Sequence, residues 1–88
     1  MNSAGLVDAA IRATKELHYA RWTDEPVPAL GGRTPRAAVA EPGGRPEVER
    51  LVAGIEQIEA RARGAQRFDT ASLRRTLGLP PASTPPGT

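Results

Sequence analysis

Residues 22–35 read WTDEPVPALGGRTP and restrict the fold more than any other stretch of this chain. They hold three of the nine prolines, a Gly-Gly pair and the only tryptophan. Proline fixes its own φ and lacks the N–H that a helix interior or a central strand needs, so no regular element runs through Pro26 and Pro28. Glu25, just ahead of Pro26, is steered out of the helical region. Gly31 and Gly32 then permit a sharp reversal that other residues make only at a cost. The segment reads as a stiff elbow, with regular structure on either side of it.

On its N-terminal side the apolar set Leu6, Val7, Ala10, Ile11, Thr14, Leu17 and Trp22 follows the 3.6-residue period. It predicts a first helix from about Ala4 to Thr23, capped by Ser3. On the C-terminal side, Thr34-Pro35 is a cap followed by the preferred first helical residue. A short helix is expected from Pro35 to about Ala40, ending ahead of Pro42. After a second reversal at Gly43-Gly44, Pro46 opens the clearest amphipathic segment, with Val48, Leu51, Val52, Ile55, Ile58 and Ala62 on one face. Glu47, Glu49, Glu56 and Glu59 are expected in solvent and Gly64 at the C-terminal stop. Asp69 can cap a last helix in which Phe68 and Leu73 form a hydrophobic staple, closed by Gly78 with Leu79 packing back. The expectation is an all-α fold: a small array of about four helices over residues 1–79, joined by a rigid Pro/Gly-rich connection. The Pro-rich stretch 80–88 is expected to be a disordered tail.

A chain of 88 residues makes one small domain. Its eighteen large apolar or aromatic side chains make a marginal core, which self-association or a partner would support. There is no cysteine, hence no disulfide and no thiolate metal site. No apolar run approaches the roughly 20 residues a bilayer demands, and the N-terminus lacks the pattern of a signal peptide, so the cytoplasm is the expected location. The net charge is only +2, although the pI is 9.9, because nearly all the basic residues are arginine. Residues 41–59 carry five Glu against two Arg, and residues 61–75 five Arg against one Asp, so the chain reads as a charge dipole.

Little here points to catalysis. His18 is the single histidine and has no nucleophile or metal-ligand pattern beside it, so catalytic residues, metals and cofactors are all read as none. Gly31-Gly32-Arg33-Thr34 precedes a helix but lacks the phosphate-loop spacing and its lysine. Arg61, Arg63, Arg67, Arg74 and Arg75 form a candidate electrostatic patch able to meet phosphates. Stacking aromatics are scarce there, so a solvated face or a patch complementary to an acidic protein is favoured, with a nucleic acid as the alternative. Trp22, with Pro26, Pro28 and Leu30, could plug the core and still offer a rigid apolar edge to a partner.

The run HYARWTDEPVPALGGRTPRAAVAEPGGRPEVERLVAGIE, and PALGGRTP within it, resembles the C-terminal toxin-binding domain of Xre/MbcA/ParS-type bacterial antitoxins. The strong part spans Trp22 to Pro35. Members commonly carry Glu where Ala37 stands here. The resemblance implies a small helical bundle that binds a RES-type, NAD-degrading toxin and blocks its active site. The matching positions are Trp22, Pro28, Leu30, Gly31, Gly32, Arg33, Thr34 and Pro35, with Pro26 in the same elbow. The expected function is thus a non-enzymatic, antitoxin-like protein-binding module. A small nucleic-acid-associated protein and a self-associating structural module (a homo-oligomer) are the alternatives.

Overall fold

A computed structural model describes residues 3–81 of the chain. The cap expected from the Ser3 side chain and residues 82–88 of the expected tail (80–88) lie outside the described residues. Four α-helices follow in order: α1 Ser3–Trp22, α2 Pro35–Val39, α3 Gly44–Ala60 and α4 Thr70–Leu77. Short 3-10 turns at Pro28–Leu30 and Gly64–Gln66 lie in the connections, and no strand occurs among the described residues.

The helix boundaries follow local chemistry. Thr34 accepts the Ala37 N–H at 3.1 Å, and Asp69 accepts the Ala71 N–H at 3.0 Å. At the end of α4 the Leu79 N–H reaches the Arg74 carbonyl at 2.8 Å and the Gly78 N–H reaches that of Arg75 at 3.2 Å. That pairing is a Schellman motif, and it turns Leu79 back into the core. Phe68 and Leu73, on either side of the Asp69 cap, are both buried in the same apolar cluster, as a staple requires. Helix α3 departs from expectation at both ends. It starts at Gly44 and stops at Ala60, before Gly64, which begins the second 3-10 turn.

The core is built by α2, α3, α4 and the elbow. Leu30, Ala38, Val48, Val52, Phe68, Leu73, Leu77 and Leu79 are buried together, and Tyr19, Trp22, Val27, Val39, Leu51 and Ile55 pack against them. Helices α2 and α3 meet so closely that a Cβ on Gly44 would clash with the Ala38 carbonyl oxygen. Only glycine fits there.

The apolar face of α1 is largely not where its periodicity placed it, and on α3 one residue of the expected face departs. Leu6 is 69% exposed and Leu17 54%, and Val7 is likewise in solvent. Of the stripe expected to anchor α1, Leu6, Val7 and Leu17 therefore point outward, while Trp22 packs against the core. The inward face carries Asp8, Lys15, Tyr19 and Trp22, spaced seven, four and three apart. Its first half is held by polar contacts to the Gly64–Gln66 turn. Gln66 Nε2 donates to Asp8 Oδ1 at 2.7 Å, Arg12 Nη1 to the Ala65 carbonyl at 3.1 Å, and Lys15 Nζ to the Gln66 carbonyl at 3.0 Å. On α3, Ile58 is exposed and Glu59 is buried, the reverse of the expectation. Glu59 continues the inward row of Val48, Val52 and Ile55. Its carboxylate accepts the Phe68 N–H at 2.8 Å and the Lys15 ammonium at 3.0 Å. A buried carboxylate with two such donors is satisfied, and it ties α1, α3 and the start of α4 together.

Candidate functional site

The elbow is closed by its own backbone. The Val27 N–H donates to the Arg33 carbonyl and the Gly32 N–H to the Val27 carbonyl, both at 3.0 Å. The Leu30 and Gly31 N–H groups complete the 3-10 turn at 2.9 and 3.0 Å. Gly31 sits at φ +68°, a left-handed conformation that a side chain resists, so the glycine is what lets the turn shut. Beyond the turn, the Arg36 N–H donates to the Thr23 carbonyl at 3.0 Å and joins the end of α1 to the start of α2.

Arginine side chains then clamp the elbow from outside. Arg33 donates through Nε to the Leu30 carbonyl at 2.8 Å, through Nη1 to Glu41 at 2.8 Å and through Nη2 to Glu47 at 3.0 Å. One guanidinium thus links the turn, the end of α2 and the first turn of α3. Glu47, then Glu41, holds it above its usual basicity. Arg36 donates to Asp24 at 2.8 Å and holds that carboxyl below the usual carboxylate range.

The nine elbow residues singled out from the sequence divide by orientation. Leu30 and Pro35 are buried, while Trp22, Arg33 and Thr34 are partly covered. Trp22 packs against the core cluster at the end of α1. Pro26, Pro28, Gly31 and Gly32 face outward, together with Ala29. The outer surface is therefore two prolines, an alanine and bare glycine backbone on a frame that is hydrogen-bonded throughout.

The arginine patch is a different matter. Arg74 is buried, with 4% of its surface exposed. Its Nε and Nη2 lie 2.6 and 2.9 Å from the two carboxylate oxygens of Glu56, and Nη1 also meets Glu49 and the Pro80 carbonyl. Arg67 caps the end of α3, donating to the carbonyls of Glu59, Ala60 and Ala62 at 3.0–3.2 Å. Arg61, Arg63, Arg67 and Arg75 are exposed, and Arg63 and Arg75 lie 3.9 Å from Asp8 and Asp69. The expected charge dipole is corrected accordingly. It is reduced by one basic group, because Arg74 of the basic segment is spent on Glu49 and Glu56 of the acidic one.

Sequence reasoning did not find the Asp8–Gln66 and Lys15–Glu59–Phe68 contacts. A row of polar residues at helical spacing on α1 was their only trace, and it is indistinguishable from a solvated face. His18 is exposed and stacks edge-on against Tyr19, with centroids 5.0 Å apart. Among the described residues no three His, Cys, Asp or Glu side chains come together as a metal site, and no helix is long and apolar enough to cross a membrane. In comparisons with known proteins the chain matches no family model, no curated protein and no solved structure.

Proposed function

We propose that the chain is a non-enzymatic protein-binding module of antitoxin type, which docks on a RES-type toxin or a related partner through the outer surface of the elbow. The supporting observation is preorganisation. The Pro26–Gly32 surface is exposed, while the backbone beneath it is closed by hydrogen bonds and clamped by Arg33 and Arg36. A surface that is already ordered docks without the conformational cost of folding a loop. The half-buried Trp22 at its base supplies the kind of anchor that interfaces favour. The outward apolar residues of α1 add a second surface of the sort that marks interaction sites. With Arg67 and Arg74 engaged internally, fewer basic groups are left for a nucleic acid to meet.

The test is direct binding to a purified RES-type toxin, with NAD consumption as the functional readout. Excess chain is expected to form a stable complex and to protect NAD. Ala29→Arg adds bulk to the exposed elbow without touching the core, so it is expected to abolish binding at unchanged melting temperature. Absence of a complex at roughly 100 µM, weaker than about −5.5 kcal/mol of binding free energy, rejects the reading. So does an Ala29→Arg protein that still protects NAD.

A further inference from the structure

A cleft of about 280 Å³ opens between the last turns of α1 and the exposed side of α4. Its floor is apolar and aromatic: the Tyr19 and Phe68 rings lie 4.6 Å apart with their planes 33° from parallel, and Leu73 lies beside them. The Tyr19 phenol and Thr23 also line it, and Glu16 with the Ser72 and Thr76 hydroxyls supplies the rest of the polar lining. Both hydroxyls already donate their protons to backbone, Ser72 to the Asp69 carbonyl at 2.7 Å and Thr76 to the Ser72 carbonyl at 3.0 Å. A hydroxyl has one proton and two lone pairs, so what these two offer the cleft is acceptor capacity. Glu16 adds a carboxylate that has no hydrogen bond or ion pair among the described residues. No lysine or arginine lines the cleft. Arg36 approaches its edge, 3.3 Å from the Thr23 hydroxyl, but its charge is met by Asp24.

An aromatic floor under acceptors, with an uncompensated negative charge, is complementary to a flat cation rich in donors. We infer that this cleft receives the guanidinium of an arginine carried by a partner protein. The guanidinium lies over the partly exposed Tyr19 ring, which the buried Phe68 ring backs, and directs its N–H groups to Glu16 and the two hydroxyls. Arginine suits the site better than lysine, because its planar group stacks on rings and presents five donors in a fixed fork. Thr23 belongs both to the cleft and to the elbow, so an arginine held here stands next to the docking surface proposed above. The inference rests on that proposal only for the source of the arginine.

The experiment is an NMR titration of the isotope-labelled full chain with N-acetyl-arginine amide. Its neutral isostere N-acetyl-citrulline amide and free arginine serve as comparisons. Saturable shifts confined to the backbone around Glu16, Tyr19, Ser72 and Thr76 are expected with the capped arginine, and about tenfold weaker binding with citrulline, which lacks the charge. Free arginine is expected to bind more weakly than the capped amide, since its own carboxylate approaches Glu16. Glu16→Gln is expected to weaken the capped arginine about tenfold at an unchanged melting temperature, because Glu16 is exposed and bonded to nothing. Scattered or absent shifts overturn the inference, as does citrulline binding as tightly, or Glu16→Gln binding like the parent. Tighter binding of free arginine overturns the partner as its source. A toxin complex that survives Glu16→Gln removes the cleft from the interface and leaves elbow docking intact. A cleft that binds arginine without any toxin complex does the opposite.

Discussion

Replacing Arg74 by alanine tests the strongest electrostatic statement made by this fold. The guanidinium faces both oxygens of Glu56 in a fork-to-fork pairing and reaches Glu49 and the Pro80 carbonyl with its remaining nitrogen. Removing one partner of a buried pair typically costs about 3–5 kcal/mol, because the other charge stays behind without compensation. Here the Glu56 side chain is 19% exposed and that of Glu49 38%, so both regain some water. The expected loss is therefore at the lower end, about 3 kcal/mol. A domain of this size holds only about 5–15 kcal/mol in total, so the variant lies close to the edge of folding. Urea denaturation followed by far-UV circular dichroism measures the change, and a double-mutant cycle assigns it. Arg74→Met together with Glu56→Met removes both charges and is expected to recover most of the loss, since apolar replacement of a buried pair is often neutral. The coupling energy in that cycle is expected at about 2 kcal/mol. A loss below about 1 kcal/mol for Arg74→Ala is the range of an exposed pair. That result, or no coupling in the cycle, would refute the assignment of Arg74 as an internal clamp.

Three other outcomes follow from the geometry. Gly44→Ala forces a Cβ against the Ala38 carbonyl oxygen and is expected to destabilise by about 2–3 kcal/mol. Gly54→Ala, on the open side of the same helix, is expected to stabilise by about 0.5–1 kcal/mol. Thermal melts of the pair check both. Burial, and then the Glu59 charge, push the Tyr19 phenol above its ordinary value of 10.0, so the folded state favours the neutral ring. Its contribution is complete below that value and is lost as pH rises through the folded one. Urea midpoints in alkaline buffers should fall more steeply in the parent than in Tyr19→Phe. Lastly, Arg74 is buried and the exposed Arg67 spends its N–H groups on carbonyls at the end of α3, which leaves Arg61, Arg63 and Arg75 for phosphates, so duplex DNA binding at two salt concentrations should show a log–log slope no steeper than about −3. A steeper slope would reopen the nucleic-acid alternative.

Much of the architecture was legible because it rests on short-range rules. The turn within the elbow, the Thr34 and Asp69 caps, the Phe68–Leu73 staple and the Gly78 stop each depend on residues no more than six apart. The chain realises each of them. The errors share one cause. Helix α1 carries two faces at helical spacing: an apolar one with Leu6, Val7 and Leu17, and a mixed one with Asp8, Lys15, Tyr19 and Trp22. Periodicity detects a face without saying which one meets the core. The same ambiguity exchanged Ile58 and Glu59 on α3. Of the candidate site, the elbow residues could be named in advance, but not the division between those that hold the bend and those that face out. The cleft was invisible, because Glu16 and Thr76 lie on different helices and acquire a joint meaning only when α1 and α4 come together.

The amino-acid sequence by itself determined that this protein is helical, where α2 and α4 start and stop, and that a rigid proline and glycine bend divides the first helix from the rest. Those outcomes follow from φ restriction and capping, which act between near neighbours. Tertiary structure alone decided which charges are structural and which face of α1 lies inward. Lys15 and Glu59 are 44 residues apart, Asp8 and Gln66 are 58 apart, and Arg74 and Glu56 are 18 apart. A charged side chain reads identically in sequence whether it ends in water or in a buried pair. What separates the two is the desolvation of both partners at once, and that exists only after the chain has folded.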